Sequence, residues 1–229
     1  MQLEILYQDE HYVAIDKPAG LLVHRSPISR DRIFALQALR DQLGHRVYPV
    51  HRLDRATSGV LIFGLSGEAA RRLARQFETR RVDKNYLAVA RGWVDASGII
   101  DHPVADADGN GIAREALTRY RRLATIELPF AVDRYPSARY SLLSVVPETG
   151  RRQQIRKHFK HISHHLIGDT THGNGKHNQF FRSHFEIHRL LLTSRQLAFQ
   201  HPYDQNWTRI SVQADADWQK MANLFGYPM

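Results

Sequence analysis

The chain has 229 residues, 42% of them hydrophobic, enough to bury a sizeable core without covalent staples, which argues against disorder as its main state. The sequence contains no cysteine, so disulfides, thiolate nucleophiles and cysteine-based zinc sites are excluded together, in keeping with a reducing compartment. A formal net charge of +9, from 32 Lys+Arg against 23 Asp+Glu, points to a polyanionic partner, because cations that neutralise phosphates release condensed counterions.

The first residues, MQLEILYQDEHY, place acids where a secretion signal needs a basic region and an unbroken apolar run. No later stretch reaches the ~20 apolar residues that cross a bilayer, so a cytosolic protein is expected. LEILYQ and YVAIDK read as a strand pair turned by Asp9-Glu10, and Lys17-Pro18-Ala19-Gly20 breaks the second strand before LLVH resumes. A polar loop, RSPISRDR, leads into FALQALRDQL, whose apolar residues at 34, 35, 38, 39 and 43 have helical spacing, with Gly44 where the helix would stop.

Residues 51–60, HRLDRATSGV, set Asp54 between Arg52 and Arg55 and turn at Ser58-Gly59 into a strand-length apolar run, GVLIFGL. Ser66 then offers an N-cap with Glu68 in the first turn. Ala69, Ala70, Leu73 and Phe77 form one face of a helix running to about Arg80, and Arg71, Arg72 and Arg75 occupy the other. KNYLAVARGW is the next strand, 95–115 is loop or edge structure rich in Asp and Gly, and LTRYRRLATIEL and RYSLLSVVP are two further strands. RRQQIRKHFKHISH reads as a helix, 186–200 as a second helix or an extended segment, and WTRISV and ADWQKMANLF as a closing strand and helix. With no internal repeat or linker, one domain over residues 1–229 is expected. Strands outnumber helices without regular alternation, which gives an α+β class with a mixed, largely antiparallel sheet flanked by helices. No coiled-coil or interface pattern is visible, and a monomer is expected.

Two patterns suggest metals and fail on their ligands. Asp106, Asp108, Asn110 and Gly111 match the first half of a calcium loop, but Leu117 stands where the bidentate acid belongs. His158, His161, His164 and His165 have roughly helical spacing without an acid beside them, and are read as facing phosphate or solvent. No metal is expected. Asp54 is harder to dismiss. An ion pair with Arg52 or Arg55 would account for it, yet the same cations keep a partly desolvated carboxylate ionised, as a nucleophile or base requires. A glycosidase-type site needs a second carboxylate, and none stands near Asp54 in the sequence, so this acid is expected to work alone.

On these residues the chain resembles the pseudouridine synthases of the RluA type. HRLDRATSG is similar to their H-R-L-D-x-x-T-S-G motif, ILYQDEHYVAIDKPAGLLVH to their opening, DKNYLAVARGW to their K-x-Y strand and YSLLSVVPETGRRQQIRKHF to their T-G-R-x-H-Q-I-R segment. IGDTTHG and RLLLTSRQLAFQHP follow in the expected order. The absence of an S4-type RNA-binding module ahead of the core sets aside the members that carry one. PVHRL, LATIELPF and RYPSARYSLL are most similar to the members that modify uridine 65 of tRNA.

The resemblance implies the pseudouridine synthase catalytic core with its central cleft, tRNA as partner, no cofactor, and isomerisation of a uridine, at position 65, to pseudouridine. An rRNA or dual-specificity synthase and a catalytically silent RNA-binding protein of the same fold are the alternatives. Asp54 is then the catalytic aspartate, adding to the ribose or the base or removing a ribose proton. Tyr86 is expected to pack on the uracil and assist proton loss from C5, and Arg156 to pair with the aspartate. The target base must leave its stack, with Arg52 holding the flipped state and Ile155 packing beside the base. Arg25, Arg30, Arg32, Arg55, Arg151, Arg152 and Lys157 are expected to contact RNA, chiefly its phosphates. Two positions depart from the pattern: Gln153 stands where His is usual and His165 where Pro is usual. Glutamine still donates and accepts, so altered support of the site is expected with activity retained.

Overall fold

The apolar runs become strands almost residue for residue. The computed structural model describes residues 1–25, 32–105 and 111–228. In chain order its elements are β1 (Glu4–Gln8), β2 (Tyr12–Lys17), α1 (Ala35–Leu43), β3 (Tyr48–Pro49), β4 (Ser58–Gly64) and α2 (Gly67–Glu78). There follow β5 (Asp83–Arg91), β6 (Ser97–Asp101), β7 (Val104–Ala105), β8 (Ala113–Arg114), β9 (Leu117–Leu128) and β10 (Ala138–Pro147). The chain ends with α3 (Gln154–His161), α4 (Gly175–Phe185), β11 (Leu192–Gln200), β12 (Trp207–Ser211) and α5 (Ala216–Phe225). The α+β class with largely antiparallel pairing holds. Arg30, Asp106, Asp108 and Asn110 lie outside the described residues. Among those described, no helix is long and apolar enough to cross a membrane.

The chain divides into two compact units, Met1–Lys84 with Thr193–Val212, and Asn85–Leu192 with Gln213–Met229. In the first, β1, β2, β4 and β11 lie side by side, with β3 added on β4 and β12 on β11. All these pairings are antiparallel except β4 with β11, which run parallel through Ser58↔Thr193 and Gly59↔Ser194. That parallel pair explains the glycine of the TSG turn. Gly59 has φ +104°, and a Cβ there would stand 2.3 Å from the Ser194 carbonyl oxygen, so only hydrogen fits. The turn between β1 and β2 is made by Asp9, whose carboxylate accepts the N–H groups of His11 and Tyr12, both at 2.7 Å. Ser66 caps α2 by accepting the Ala69 N–H at 3.1 Å. Ala69, Ala70 and Leu73 of α2 are buried against Tyr12, Val60, Ile62, Leu197 and Phe199, each fully buried large apolar side chain contributing about 1.5–3 kcal/mol.

The second unit carries β5, β10, β9 and β6 in that order, all antiparallel, and a separate β7–β8 pair. Its core gathers Val89, Tyr140 and Leu142 from the sheet with Phe181, Leu191, Trp218, Met221 and Phe225. Two expectations change here. The segment 186–200, open between helix and extended chain, is the strand β11 from Leu192 onward. An unanticipated helix, α4, precedes it; Asn174 caps this helix by accepting from Lys176 and His177, and Glu186 ends it in the left-handed region at φ 57°. Its apolar residues are only Phe180, Phe181 and Phe185 among polar neighbours, too few to repeat the i, i+3, i+4 stripe that marks a helix in a sequence.

Within α4, His177 is buried and its Nδ1 lies 2.8 Å from the Tyr140 hydroxyl. Burial first, and then the nearby Arg91 charge, push its pKa down from 6.5 to about 4, against the pull of Asp133. Below pH 6.5 the unfolded chain therefore takes up a proton that the folded chain refuses until about pH 4, so this stability is present above 6.5 and lost on acidification towards 4. Denaturant titrations of the wild type between these limits are expected to lose up to about 1.4 kcal/mol per pH unit through this residue, and His177→Gln to remove that share of the slope. Parallel pH curves for the two proteins would contradict the assignment.

Candidate active site

The loop carrying Asp54 runs from β3 to β4 and is held at several points. His51 stacks on Phe77 of α2, with ring centroids 4.6 Å apart, and its Nε2 accepts the Ile62 N–H at 3.3 Å. Burial, with the Lys84 charge adding to it, depresses this imidazole to about 3, so it stays neutral and keeps the lone pair that the bond needs. Leu53, Thr57 and Ser58 are buried, whereas Arg52 and Arg55 are exposed and Asp54 is partly buried. The Thr57 N–H donates to the Asp54 carbonyl at 3.1 Å, closing a tight turn around the acid.

Lys17, expected where the second strand breaks, dominates this loop. Lys17 is fully buried at the end of β2. Its Nζ donates to the carbonyls of Pro18 and Leu21, each at 2.8 Å, and of Arg55 at 3.3 Å. Gly20 adds a reciprocal pair, its N–H donating to the Arg55 carbonyl at 2.8 Å and its carbonyl accepting Arg55 Nε at 3.0 Å. The DKPAG turn thus grips the backbone of the residue after Asp54. Arg55, expected as an RNA contact or an ion-pair partner, spends its Nε on this grip. Desolvation lowers the Lys17 pKa to about 7, opposed by the carboxylates of Asp54 and Asp16.

In the second unit, Tyr86 lies on β5 opposite Val145 of β10 and is largely buried. The TGRRQQIR segment forms the entry to α3. Gln153 stands in the left-handed region at φ 56°, and the buried Gln154 uses both ends of its side chain. Its Oε1 accepts the Thr149 hydroxyl at 2.6 Å and the Arg151 N–H at 3.0 Å, and its Nε2 donates to the Leu117 carbonyl at 3.0 Å and Thr118 Oγ1 at 2.9 Å. The start of α3 is thereby fixed on β9. Ile155 is buried one residue further on. Arg151 and Lys157 are partly engaged by the backbone, Arg151 Nε with the Glu115 carbonyl at 3.1 Å and Lys157 Nζ with the Ala105 carbonyl at 2.6 Å. Arg152 is partly buried.

Arg156, expected to pair with Asp54, makes a buried carboxylate pair within its own unit, with the aspartate of the IGDTTHG stretch, Asp169. Its Nε and Nη2 contact Asp169 Oδ2 and Oδ1 at 2.7 and 2.8 Å, a bidentate pair with side chains only 5% and 1% exposed. Asp169 Oδ1 also accepts the N–H groups of Thr171 and His172, both at 2.9 Å. Burial by itself would raise the Asp169 pKa, but the guanidinium and these N–H donors hold it below the usual carboxylate value. Both departures from the motif pattern converge on His172: Gln153 Oε1 meets its Nε2 at 2.9 Å, and His165 Nδ1 meets its carbonyl oxygen at 2.8 Å. They support the loop that carries Asp169.

The structure thus distributes the expected site residues over both units: Arg52, Asp54 and Arg55 in the first, Tyr86, Arg151, Arg152, Ile155, Arg156 and Lys157 in the second. The histidines considered as metal ligands go separate ways. His158 Nε2 faces the His102 carbonyl at 2.9 Å, His161 stacks on His102, and His164 Nδ1 faces the Arg91 carbonyl at 2.8 Å.

Comparison with known proteins places these residues in context. A family model described as RNA pseudouridylate synthase matches residues 11–161. The chain is 44% identical to tRNA pseudouridine synthase C of Vibrio vulnificus, over 99% of this chain and 96% of that protein. It is likewise 44% identical to tRNA pseudouridine synthase C of Pasteurella multocida, over 100% of this chain and 98% of that one. Among solved structures, Human RNA Pseudouridylate Synthase Domain Containing 4 shares the fold with a TM-score of 0.76 at 22% identity, covering 99% of this chain and 94% of that one.

Two substitutions test the supports. Lys17→Met takes the lysine donor from the Pro18 and Leu21 carbonyls, while the Arg55 carbonyl keeps the Gly20 N–H, and is expected to cost about 2 kcal/mol of unfolding free energy, at 1 kcal/mol or more for each unmade bond. Asp169→Asn removes the buried carboxylate charge of the forked pair with Arg156, for an expected loss of about 3–5 kcal/mol. Urea midpoints equal to the wild type would refute either statement.

Proposed function

This chain belongs to the RNA pseudouridylate synthase family, and on that premise we propose that it isomerises a uridine of tRNA, at position 65, to pseudouridine, with Asp54 as the reacting carboxylate. The observation that carries the reading is identity of 44% sustained over essentially the whole length of tRNA pseudouridine synthase C relatives.

The reaction detaches uracil from the ribose at nitrogen, turns the base and rejoins it through C5. Atoms and electrons are conserved, so neither a redox cofactor nor an energy source is called for. The protein has to supply a reacting group, a place for the extruded base and a route for one proton. Asp54 supplies the first, adding to the ribose or the base or taking a ribose proton, and its turn is locked by Lys17 and Gly20. Extruding the base costs a few kcal/mol, and the exposed guanidinium of Arg52 is suited to stacking or phosphate contact with the flipped state. Tyr86 offers a buried ring and one hydroxyl for packing on the uracil and for the C5 proton. Arg156 is presented by Asp169 in a fixed orientation, which suits a guanidinium that orients a second carboxylate. Arg151, Arg152 and Lys157 follow on the same α3 entry as backbone-tracking cations.

Incubating the protein with a tRNA transcript tritiated at uridine C5 is expected to release tritium to water. Asp54→Asn is expected to reduce release by about a thousandfold or more, the scale of an essential acid–base or nucleophilic group. Mapping pseudouridines in a strain lacking the protein should show the loss at tRNA position 65. Loss confined to rRNA would move the substrate, and no release from any cellular RNA would end the enzyme reading.

A further inference from the structure

The second unit has a cavity of ≈350 Å³ where the loop between β9 and β10 meets the end of β5 and the start of α4. Arg91, Asp133, Tyr135, Arg139 and His177 line it, and none of these is used in the chemistry above. The volume lies at the lower end of the range for small-ligand sites, enough for a single nucleoside-sized group.

The surroundings combine cations with half-exposed aromatic rings. Arg139 lies over the Trp93 ring at 4.2 Å while pairing with Glu127 at 3.1 Å, and Arg134 lies over Tyr135 at 5.2 Å. Trp93 and Tyr135 are nonetheless 46% and 52% exposed. Asp133 pairs with Lys176 at 2.6 Å. Four cations, Arg91, Arg134, Arg139 and Lys176, therefore stand against two carboxylates, Asp133 and Glu127. Deeper in, the neutral imidazole of His177 is fixed by Tyr140 and offers polar ring edges without a charge. Flat rings, an excess of guanidinium and ammonium, and a few fixed polar groups make up the chemistry that takes a base by its face and its phosphate by charge.

We infer that this cavity is a second RNA contact, which holds one unpaired nucleotide of the substrate other than the reacting uridine, with its base against Tyr135 and its phosphate among the surrounding cations. The inference rests on the RNA-modifying reading above and deepens it, because such a contact selects among RNAs by structure outside the target base.

The test is steady-state tritium release from a tRNA transcript. Tyr135→Ala, at a half-exposed position, is expected to raise KM about tenfold with kcat within about twofold, the low end of a lost stacking contact. Tyr135→Phe, which keeps the ring, should restore KM. Trp207→Ala removes an exposed aromatic of the first unit and should leave KM unchanged. Arg91→Gln should lower the salt slope of tRNA retention on filters by about one, the loss of a single phosphate contact. An unchanged KM in Tyr135→Ala, an equal fall in kcat, or an equal effect of Trp207→Ala would overturn the inference. If the wild type releases no tritium, the functional reading fails separately. The cavity is then judged by filter retention of total cellular RNA, where about tenfold weaker binding by Tyr135→Ala supports it and equal binding overturns it.

Discussion

A buried lysine head group must have its N–H bonds accepted, and Lys17 Nζ meets that demand with the backbone carbonyls of Pro18, Leu21 and Arg55. One of those carbonyls belongs to the DKPAG turn, one to Leu21 directly after it, and one to the turn that carries Asp54. The constraint therefore acts both ways: the lysine cannot be accommodated unless the two turns meet, and once they meet the acid has a defined place. The Asp54 carboxylate in turn favours the charged form of the lysine. The His51 ring, neutral and acting as acceptor, and Gly59, with no room for a side chain, hold the two ends of the same loop.

The second unit solves its own positioning problem by the same physical means. A guanidinium is buried at Arg156, and its partner Asp169 is saturated by a forked contact and two backbone N–H groups. Buried ion pairs add little net stability against an apolar pair of similar shape, but breaking one is costly. Such a pair makes orientation specific, since the fork admits one arrangement of the two planes. The replacement of motif residues by Gln153 and His165 keeps this arrangement because both new side chains bond to His172, whose own N–H is one of the Asp169 donors.

Much of the framework could be read from residue pattern. Apolar runs such as GVLIFGL and YVAIDK are buried along nearly their whole length, and Ser66 and Gly44 mark helix ends where cap chemistry places them. The helix α4 escaped because its apolar residues are only Phe180, Phe181 and Phe185, and its best local signal, the Asn174 cap, sits in a Gly-Asn-Gly stretch that also suits a turn. The segment 186–200 was ambiguous because a short apolar run looks alike in a buried helix and a buried strand.

For the site, the stretch HRLDRATSG singled out Asp54 as a candidate, since an acid between arginines before a strand is a local feature, and the class of chemistry followed from the order of the motifs. What the residues could not disclose were the partners: Lys17 beneath the Asp54 turn, Asp169 against Arg156, Gln154 spanning to β9, and the Tyr135 cavity. Each of these joins positions brought together only by folding, 13 residues apart for Arg156 and Asp169 and 38 for Lys17 and Arg55. Local sequence sets propensity and charge, whereas the partner of a buried charge is chosen by the packing that removes water from it, and that choice exists only in the tertiary structure.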